Sequence, residues 1–250
     1  MINLTNKHIV VTGASSGLGK AISILASELG ARLSIMGRDK KRLDNTLDLL
    51  EGQEHQTFAI DITDFGSLEN IVSKAVSAQG PIDGFVHSAG IEKTLPLRLT
   101  KPEVFKELMD VNLIAGFELA RLISQKKSVN QSGASFVFIS SIRGILGESG
   151  LTAYSASKAA LLAASKAVAI ELSSKNVRCN CILPGIVETE MVQKLFSSIP
   201  EDAKIKIINK HPLGIGKPQD VAYLACFLLS ERARWITGAE FIIDGGYSAV

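Results

Sequence analysis

The chain has three tyrosines, and only Tyr154 has a lysine one helical turn further on, Lys158. Residues four apart on a helix share a face. A phenol titrates near ~10 and is a poor proton shuttle at neutrality. A neighbouring ammonium favours its ionised form and lowers that value. Together the two side chains can act as an acid–base group near neutral pH. Tyr-x-x-x-Lys alone is a weak signal in a chain where roughly one residue in ten is basic. Its neighbours strengthen it. Upstream, an apolar run ends at Ile139-Ser140-Ser141. If that run is a strand of a parallel sheet, Ser141 sits at the edge where ligands bind. There it can hydrogen-bond a substrate oxygen and stabilise its developing charge. Asn112, in Asp110-Val111-Asn112, falls inside a helical stretch although Asn is a mediocre helix former. It is either a surface polar residue or one whose backbone carbonyl and amide hold a water that relays protons to Lys158.

A second constellation lies near the start, at Thr12-Gly13-Ala14-Ser15-Ser16-Gly17-Leu18-Gly19. An apolar run leads into it and a helical pattern follows at once. Glycines in such a turn let the backbone approach a pyrophosphate, and the helix N-terminus offers unpaired N–H groups to the anion. The spacing is Gly-x-x-x-Gly-x-Gly, not the Gly-x-Gly-x-x-Gly of the standard dinucleotide fingerprint. A tight connection would also use glycines, but the strand–turn–helix context favours a phosphate cradle. The next apolar run ends at Met36-Gly37-Arg38-Asp39. An acidic residue at that end would bond the adenosine ribose and repel a 2′-phosphate; here Gly37 stands there and Arg38 follows. A guanidinium pairs with a 2′-phosphate, so the expected cofactor is NADP(H) rather than NAD(H). The alternative is a solvated Arg38 beside an Asp39 helix cap. Asp61, in Asp61-Ile62-Thr63-Asp64, either accepts a hydrogen bond from the adenine amino group or caps the next helix.

The elements that must position these residues alternate. His8–Thr12, Arg32–Met36, Gln56–Ile60, Ile82–His87, Ala134–Ser140, Val177–Leu183 and Glu240–Ile243 read as strands. Helical patterns cover Gly17–Gly30, Lys40–Leu50, Asp64–Gln79, Pro102–Lys127, Leu151–Ser174 and Gln219–Ser230. Strand–helix alternation implies an α/β fold with a parallel sheet covered on both faces. No linker or composition break divides residues 1–250, so a single domain is expected. The stretch 188–212 is helical in pattern but falls where another strand would be expected, between Leu183 and Glu240, and it reads as an insertion over a site. A net charge of +2 gives no case for a nucleic-acid or membrane partner. No apolar stretch approaches the ~20 residues of a membrane span. His8 already opens a structural element, so no secretion leader is expected. Cys179 and Cys181 fall on one face of a strand, and the four histidines are scattered. Reduced core cysteines, no metal site and a cytoplasmic setting are the expectations.

Taken together, Thr12-Gly13-x-x-x-Gly17-x-Gly19, Asp61, Asn112, Ser141, Tyr154-x-x-x-Lys158, Pro184-Gly185, Thr237-Gly238 and Asp244-Gly245-Gly246 resemble, in order and spacing, the short-chain dehydrogenase/reductase family. The resemblance spans essentially the whole chain. It implies a single Rossmann domain with a seven-stranded parallel sheet in the order 3-2-1-4-5-6-7, and a homotetramer. It implies a catalytic tetrad of Asn112, Ser141, Tyr154 and Lys158. It implies a dinucleotide held by Gly13, Ser15, Ser16, Gly17, Leu18, Gly19, Arg38, Asp61, Ile62, Ser88, Ala89, Gly90, Tyr154 and Lys158. Pro184, Gly185, Val187 and Thr189 would then lie beside the nicotinamide, and Lys158 would hold its ribose. The chain departs from the family at Ser88, where an asparagine is usual, and at Ile215, where an arginine is common; the first predicts a looser strand edge.

Among subgroups the chain is most similar to 3-oxoacyl-(acyl-carrier-protein) reductases, which serve fatty acid biosynthesis, through Pro184–Met191 and Asp244–Tyr247. That similarity implies an acidic carrier protein, with Lys126, Lys127, Lys175 and Arg178 as candidate contacts or merely solvated helix ends. Sugar and polyol (gluconate-type) dehydrogenases carry the same motifs and remain the alternative. A non-catalytic dinucleotide-binding sensor is a third reading, disfavoured by the intact tetrad. Met191, Leu195 and Phe196 suit an apolar substrate or a lid packing on itself. The alanines of 151–174 suit close contact with another subunit, or simply high helix propensity.

Overall fold

The computed structural model describes residues 2–249. Seven parallel strands form one sheet in the order β3-β2-β1-β4-β5-β6-β7. They are β1 (His8–Thr12), β2 (Arg32–Gly37), β3 (Gln56–Ala59), β4 (Gly84–His87), β5 (Ala134–Ile139), β6 (Val177–Pro184) and β7 (Glu240–Ile243). The order reverses between β1 and β4, and that switch point opens a crevice at the carboxyl ends of the strands. Thr12 is in register with Met36 on one side and His87 on the other, so the ends of β1, β2 and β4 share that edge.

The central strands are apolar on both faces because both are covered. On one face lie α1 (Gly17–Glu28), α2 (Lys40–Leu47) and α9 (Pro218–Leu229), packed on Ile9, Val11, Val86, Val137 and Ile182. On the other lie α3 (Phe65–Gln79), α5 (Ala115–Ile123) and α6 (Thr152–Glu171), packed on Val10, Phe85, Phe136 and Phe138. Phe85 meets Phe136 and Phe138 edge-on at 5.8 and 6.0 Å, and Phe117 stacks on Phe138 at 4.6 Å. Cys179 and Cys181 fall together on this second face, buried, with both thiols pushed above the ordinary range by desolvation. None of the helices among the described residues is long and apolar enough to cross a membrane.

Two expected helices differ. The first, Lys40–Leu50, stops at Leu47, where the chain tightens into turns that bond Leu49 N–H to Thr46 and Leu50 N–H to Leu47. The second, Pro102–Lys127, is three pieces: α4 (Pro102–Met109), a π-helical turn (Asp110–Ile114), and α5. The widened turn draws the Asn112 side chain into the protein, where it is fully buried. The insertion folds as α7 (Glu190–Ser198) and α8 (Glu201–Asn209), with Pro200 between them. The helix α6 leaves Ala163 and Ala167 exposed and half-buries Ala156, Ala159, Ala160 and Ala164.

Candidate active site

At the end of β1 the backbone turns through Gly13 at φ +68°. A Cβ there would sit 2.8 Å from the Ala89 backbone, so only glycine fits between the ends of β1 and β4. At Gly19 a Cβ would meet the Gly13 carbonyl at 2.4 Å, which fixes α1 hard against the turn. Thr46 of α2 ties the turn down by donating its hydroxyl to the Ala14 carbonyl at 3.0 Å. No side chain caps the N-terminus of α1 and no acidic residue stands in its first turn. Its N–H groups are therefore available to an anion.

The cleft at the switch point is lined by Gly13, Ser15, Ser16, Gly17, Leu18, Arg38, Asp61, Ile62, Ser88, Ala89, Gly90, Tyr154, Lys158 and Thr189, all expected from the sequence. Met191, expected at the substrate or lid, joins them, as do Gly37, Ile60, Ile91, Val111, Ile139, Ser140 and Glu190, which were not foreseen as site residues. Gly19 lies behind the turn rather than on the cleft wall. Pro184, Gly185 and Val187 do not line this cleft either. Pro184 ends β6, Gly185 is pressed on Asp244, and Val187 is buried in a bridge to Gly216. Only Thr189 from that stretch reaches the cleft, with its methyl facing Gly17.

Arg38 is exposed on the cleft, and Asp39 caps α2 by accepting from Arg42 N–H at 3.1 Å. Asp61 accepts from the Thr63 N–H and hydroxyl at 3.0 and 2.7 Å, which holds its carboxyl below the usual range. It therefore caps its own loop rather than the next helix. The strand edge at Ser88 is tied to the end of β1. Thr12 Oγ1 accepts from the N–H groups of Ser88 and Ala89, both at 3.2 Å, and lies 3.0 Å from His87 Nδ1. His87 is the residue sequence reasoning missed here. Its other nitrogen lies 3.3 Å from the Asn112 carbonyl. Hydroxyl donation to Nδ1 and donation from Nε2 to that carbonyl assign the neutral tautomer. Burial pushes its pKa down to about 3, so the ring stays uncharged.

The Asn112 side chain grips the loop after β4 from both sides. Its Oδ1 accepts from Ile91 N–H at 2.8 Å, and its Nδ2 donates to the Ile91 carbonyl at 3.0 Å and to Ser157 Oγ at 2.9 Å. Ser157 passes the contact on by donating to the Tyr154 carbonyl at 2.7 Å. The Asn112 side chain thus clamps the loop after β4 to α6, and its carbonyl lies against His87. Lys158 is buried and donates to the Ile139 carbonyl at 2.9 Å, with Nζ 5.8 Å from the Tyr154 ring centre. Desolvation lowers its pKa to about 8. Tyr154 departs from expectation. Burial pushes the phenol up rather than down, Glu92 adds to the rise, and the adjacent Ser141 hydroxyl and Arg143 oppose it. Lys158 is not what sets the phenol in the protein alone.

The lysines expected to meet a carrier are on the wrong edge. Lys126 and Lys127 lie between α5 and the start of β5, and Lys175 lies just before β6, all toward the amino ends of the strands. Arg178 is partly buried and donates to the carbonyls of Leu228, Ser230 and Ile236. At the carboxyl edge the insertion is tied over the cleft instead, by an ion pair between Arg42 of α2 and Glu190 of α7.

Residues 13–248 match the family model described as enoyl-(acyl carrier protein) reductase. The chain is 35% identical to a 3-oxoacyl-(acyl-carrier-protein) reductase of Thermotoga maritima, over 98% of this chain and 99% of the relative. It is 33% identical to an NADP-dependent (R)-specific alcohol dehydrogenase of Lentilactobacillus kefiri, over 98% of each. A crystal structure of a dehydrogenase/reductase from Sinorhizobium meliloti 1021 superposes with a TM-score of 0.89 at 31% identity, covering 98% of this chain and 96% of that one. With the sheet order and the cleft at its switch point, these matches place the chain in the short-chain dehydrogenase/reductase family, as an oxidoreductase of CH–OH and C=O groups.

Proposed function

We propose that the protein is an NADP(H)-dependent carbonyl reductase with Tyr154 as its acid–base, Ser141 as substrate-oxygen donor, and Lys158 and Asn112 as their support. The observation that carries this reading is the convergence of Tyr154 and Lys158 on one cleft with the glycine turn and Arg38. The cleft suits a dinucleotide. Gly13 and Gly17 leave it open, the first N–H groups of α1 are free for a pyrophosphate, and the exposed Arg38 on the cleft offers a cation to a 2′-phosphate. Asp61 keeps its Oδ2 for an adenine amino group, since both Thr63 contacts use Oδ1. Bound NADPH would supply the hydride and, once oxidised, a cationic ring that favours the phenolate.

The chain's own groups do the rest. In the reducing direction Tyr154 gives its proton to the carbonyl oxygen as that oxygen gains charge. Ser141 donates to the same oxygen. The raised phenol pKa keeps Tyr154 protonated and ready as an acid. Lys158, at about 8, is mostly cationic at neutral pH and stabilises the phenolate left behind. One of its protons is committed to Ile139, which leaves others for ribose hydroxyls. Thr189 to Met191 cover the cleft as the start of a substrate lid held by Arg42. A homotetramer is part of this reading, supported by the exposed alanines of α6 and by Ile170, which is 78% exposed on the same helix.

Two substrate classes fit this chemistry. The 3-oxoacyl thioester reading is supported by the Thermotoga relative. The polyol or sugar-type reading is the second, and the alcohol dehydrogenase of Lentilactobacillus kefiri is a relative outside the acyl-carrier class. NADPH oxidation by wild type and Tyr154→Phe, against acetoacetyl thioesters and keto-sugars, tests the mechanism. Turnover that survives in the variant would overturn it.

A further inference from the structure

Away from the cleft of Tyr154, a second cavity of about 460 Å³ opens at the amino ends of the strands, where the turns before β5, β6 and β7 meet. The six residues of β5 run from Ala134 on this cavity to Ile139 beside Lys158, a rise of roughly 20 Å. The two sites are therefore separate. The turns before β5 and β6 touch, since a Cβ on Gly133 would meet the Asn176 carbonyl oxygen at 2.6 Å. Val177 and Leu229 give the cavity buried apolar walls.

Five charged residues line it, three cations against two carboxylates. Lys7 and Glu231 pair at 2.7 Å. Asp83 is engaged within the fold, its Oδ2 accepting from His8 N–H at 2.8 Å and its Oδ1 from Asn130 Nδ2 at 2.7 Å. Arg178 and Arg234 form no ion pair among the described residues. Arg178 gives its terminal nitrogens to neutral carbonyls only, Leu228 at 2.6 Å, Ser230 at 3.2 Å and Ile236 at 3.3 Å. A guanidinium keeps its charge in such a setting, and a partly buried charge without a counter-ion is unfavourable. Beside it stands Trp235, 91% exposed and the chain's one tryptophan. Its neighbour Ile236 is braced from both sides. The Ile236 carbonyl accepts from Arg178 and from Asn180 Nδ2 at 3.0 Å, and its N–H donates to the Ala233 carbonyl at 2.9 Å. The guanidinium and the indole thus belong to one fixed wall.

That wall selects by charge and shape. An ammonium would meet two unpaired guanidiniums. A neutral molecule would leave both charges uncompensated, and a multiply charged anion would also face Asp83 and Glu231. A carboxylate matches the single surplus charge and the planar fork of a guanidinium. A flat ring beside the carboxylate would lie on the indole. We propose that this cavity is a second ligand site, which binds a small aromatic carboxylate with its anionic head on Arg178 and Arg234 and its ring on Trp235.

Because the chain has one tryptophan, 5-fluorotryptophan labelling puts a single fluorine line in the site. The test follows that line by fluorine NMR in the full-length protein, with NADPH present, during titration with benzoate, benzyl alcohol and benzylammonium. Benzoate should shift it saturably with a Kd of about 1 mM or tighter. Benzyl alcohol should bind at least about tenfold more weakly, and benzylammonium should give no saturable shift. Arg234→Ala should weaken benzoate about tenfold, and Arg234→Lys, which keeps the charge, should restore part of that, both with the NADPH Kd unchanged. Equal affinity for the three probes, or benzoate binding that ignores Arg234→Ala, overturns the proposal. So does the absence of a saturable shift with benzoate, the result expected where a second copy of the chain covers Trp235. The three probes decide the question in wild type even if an Arg234 variant does not fold.

Discussion

Asn112 is the residue whose removal the structure prices most directly. It is fully buried, and its side chain makes three hydrogen bonds, two to Ile91 and one to Ser157. A hydrogen bond contributes about 1 kcal/mol net, and a buried N–H left without a partner costs more. Asn112→Ala should therefore lower unfolding stability by about 3 kcal/mol. For a domain of this length that corresponds to a Tm drop of roughly 6–12 °C. Asn112→Asp separates hydrogen bonding from volume. It keeps an acceptor for Ile91 N–H but sets an oxygen against the Ile91 carbonyl, and Ser157 Oγ, already donating to Tyr154, cannot answer it. The near-isosteric change should cost at least as much as the truncation. Urea titration at one fixed protein concentration, without nucleotide, reads both variants. A midpoint shift worth less than ~1 kcal/mol for Asn112→Ala, or wild-type stability in Asn112→Asp, would refute the clamp.

Other consequences can be measured separately. Tyr154→Phe should lower kcat by about a thousandfold or more while NADPH fluorescence still titrates to a similar Kd, because the hydroxyl serves the proton transfer. Arg38→Ala should weaken NADPH by about ten- to a hundredfold and leave NADH nearly unchanged, since only the former has a 2′-phosphate; equal losses for both would remove Arg38 from that role. Lys158 is held cationic against a folded-state pKa of about 8, depressed from 10.5, so its burial penalises the fold at neutral pH. The unfolded chain binds the extra proton between those two values, so this contribution to stability improves as pH rises through that window. Lys158→Met should thus be inactive yet more stable at neutrality by about 2 kcal/mol, after allowing for the lost bond to Ile139, and its advantage should shrink toward pH 10.5. Glu190→Gln breaks an ion pair whose partners are both substantially exposed, so the KM for NADPH should rise by no more than about fivefold.

Much of the frame was legible because buried parallel strands read as unbroken apolar runs, and His8–Thr12 and Glu240–Ile243 match to the residue. Tyr154 and Lys158 were legible because one helical turn is a fixed distance. What was hidden is what depends on distant partners. The Asn112 clamp joins residues 21 and 45 positions away, and no local pattern announces it. Its one local trace was a poor helix former inside a helical run. The basic residues assigned to a carrier were misplaced by a step that sequence does allow. In a parallel sheet, residues just before a strand lie at the amino edge, opposite the site, and Lys175 directly precedes β6. The direction of the Tyr154 shift was missed for a different reason. Spacing places a charge near the phenol, but desolvation depends on the whole enclosure, and here burial outweighs the neighbours.

These buried polar residues form one connected path rather than separate sites. Thr12, in the strand that feeds the phosphate cradle, holds the backbone of Ser88 and Ala89 and contacts His87 at 3.0 Å. His87 reaches Asn112 at 3.3 Å, Asn112 reaches Ser157 at 2.9 Å, and Ser157 bonds the Tyr154 carbonyl at 2.7 Å. Every link is a group that would be costly to leave unpaired, so the path holds only as a whole. A charged imidazole would break it, and burial keeps His87 neutral. The π-helical turn then has a reason. Within that turn the Asn112 carbonyl lies toward His87 and its side-chain amide toward Ser157 and the loop after β4. Through the widened turn one residue joins the end of β4 to α6, which carries Tyr154 and Lys158.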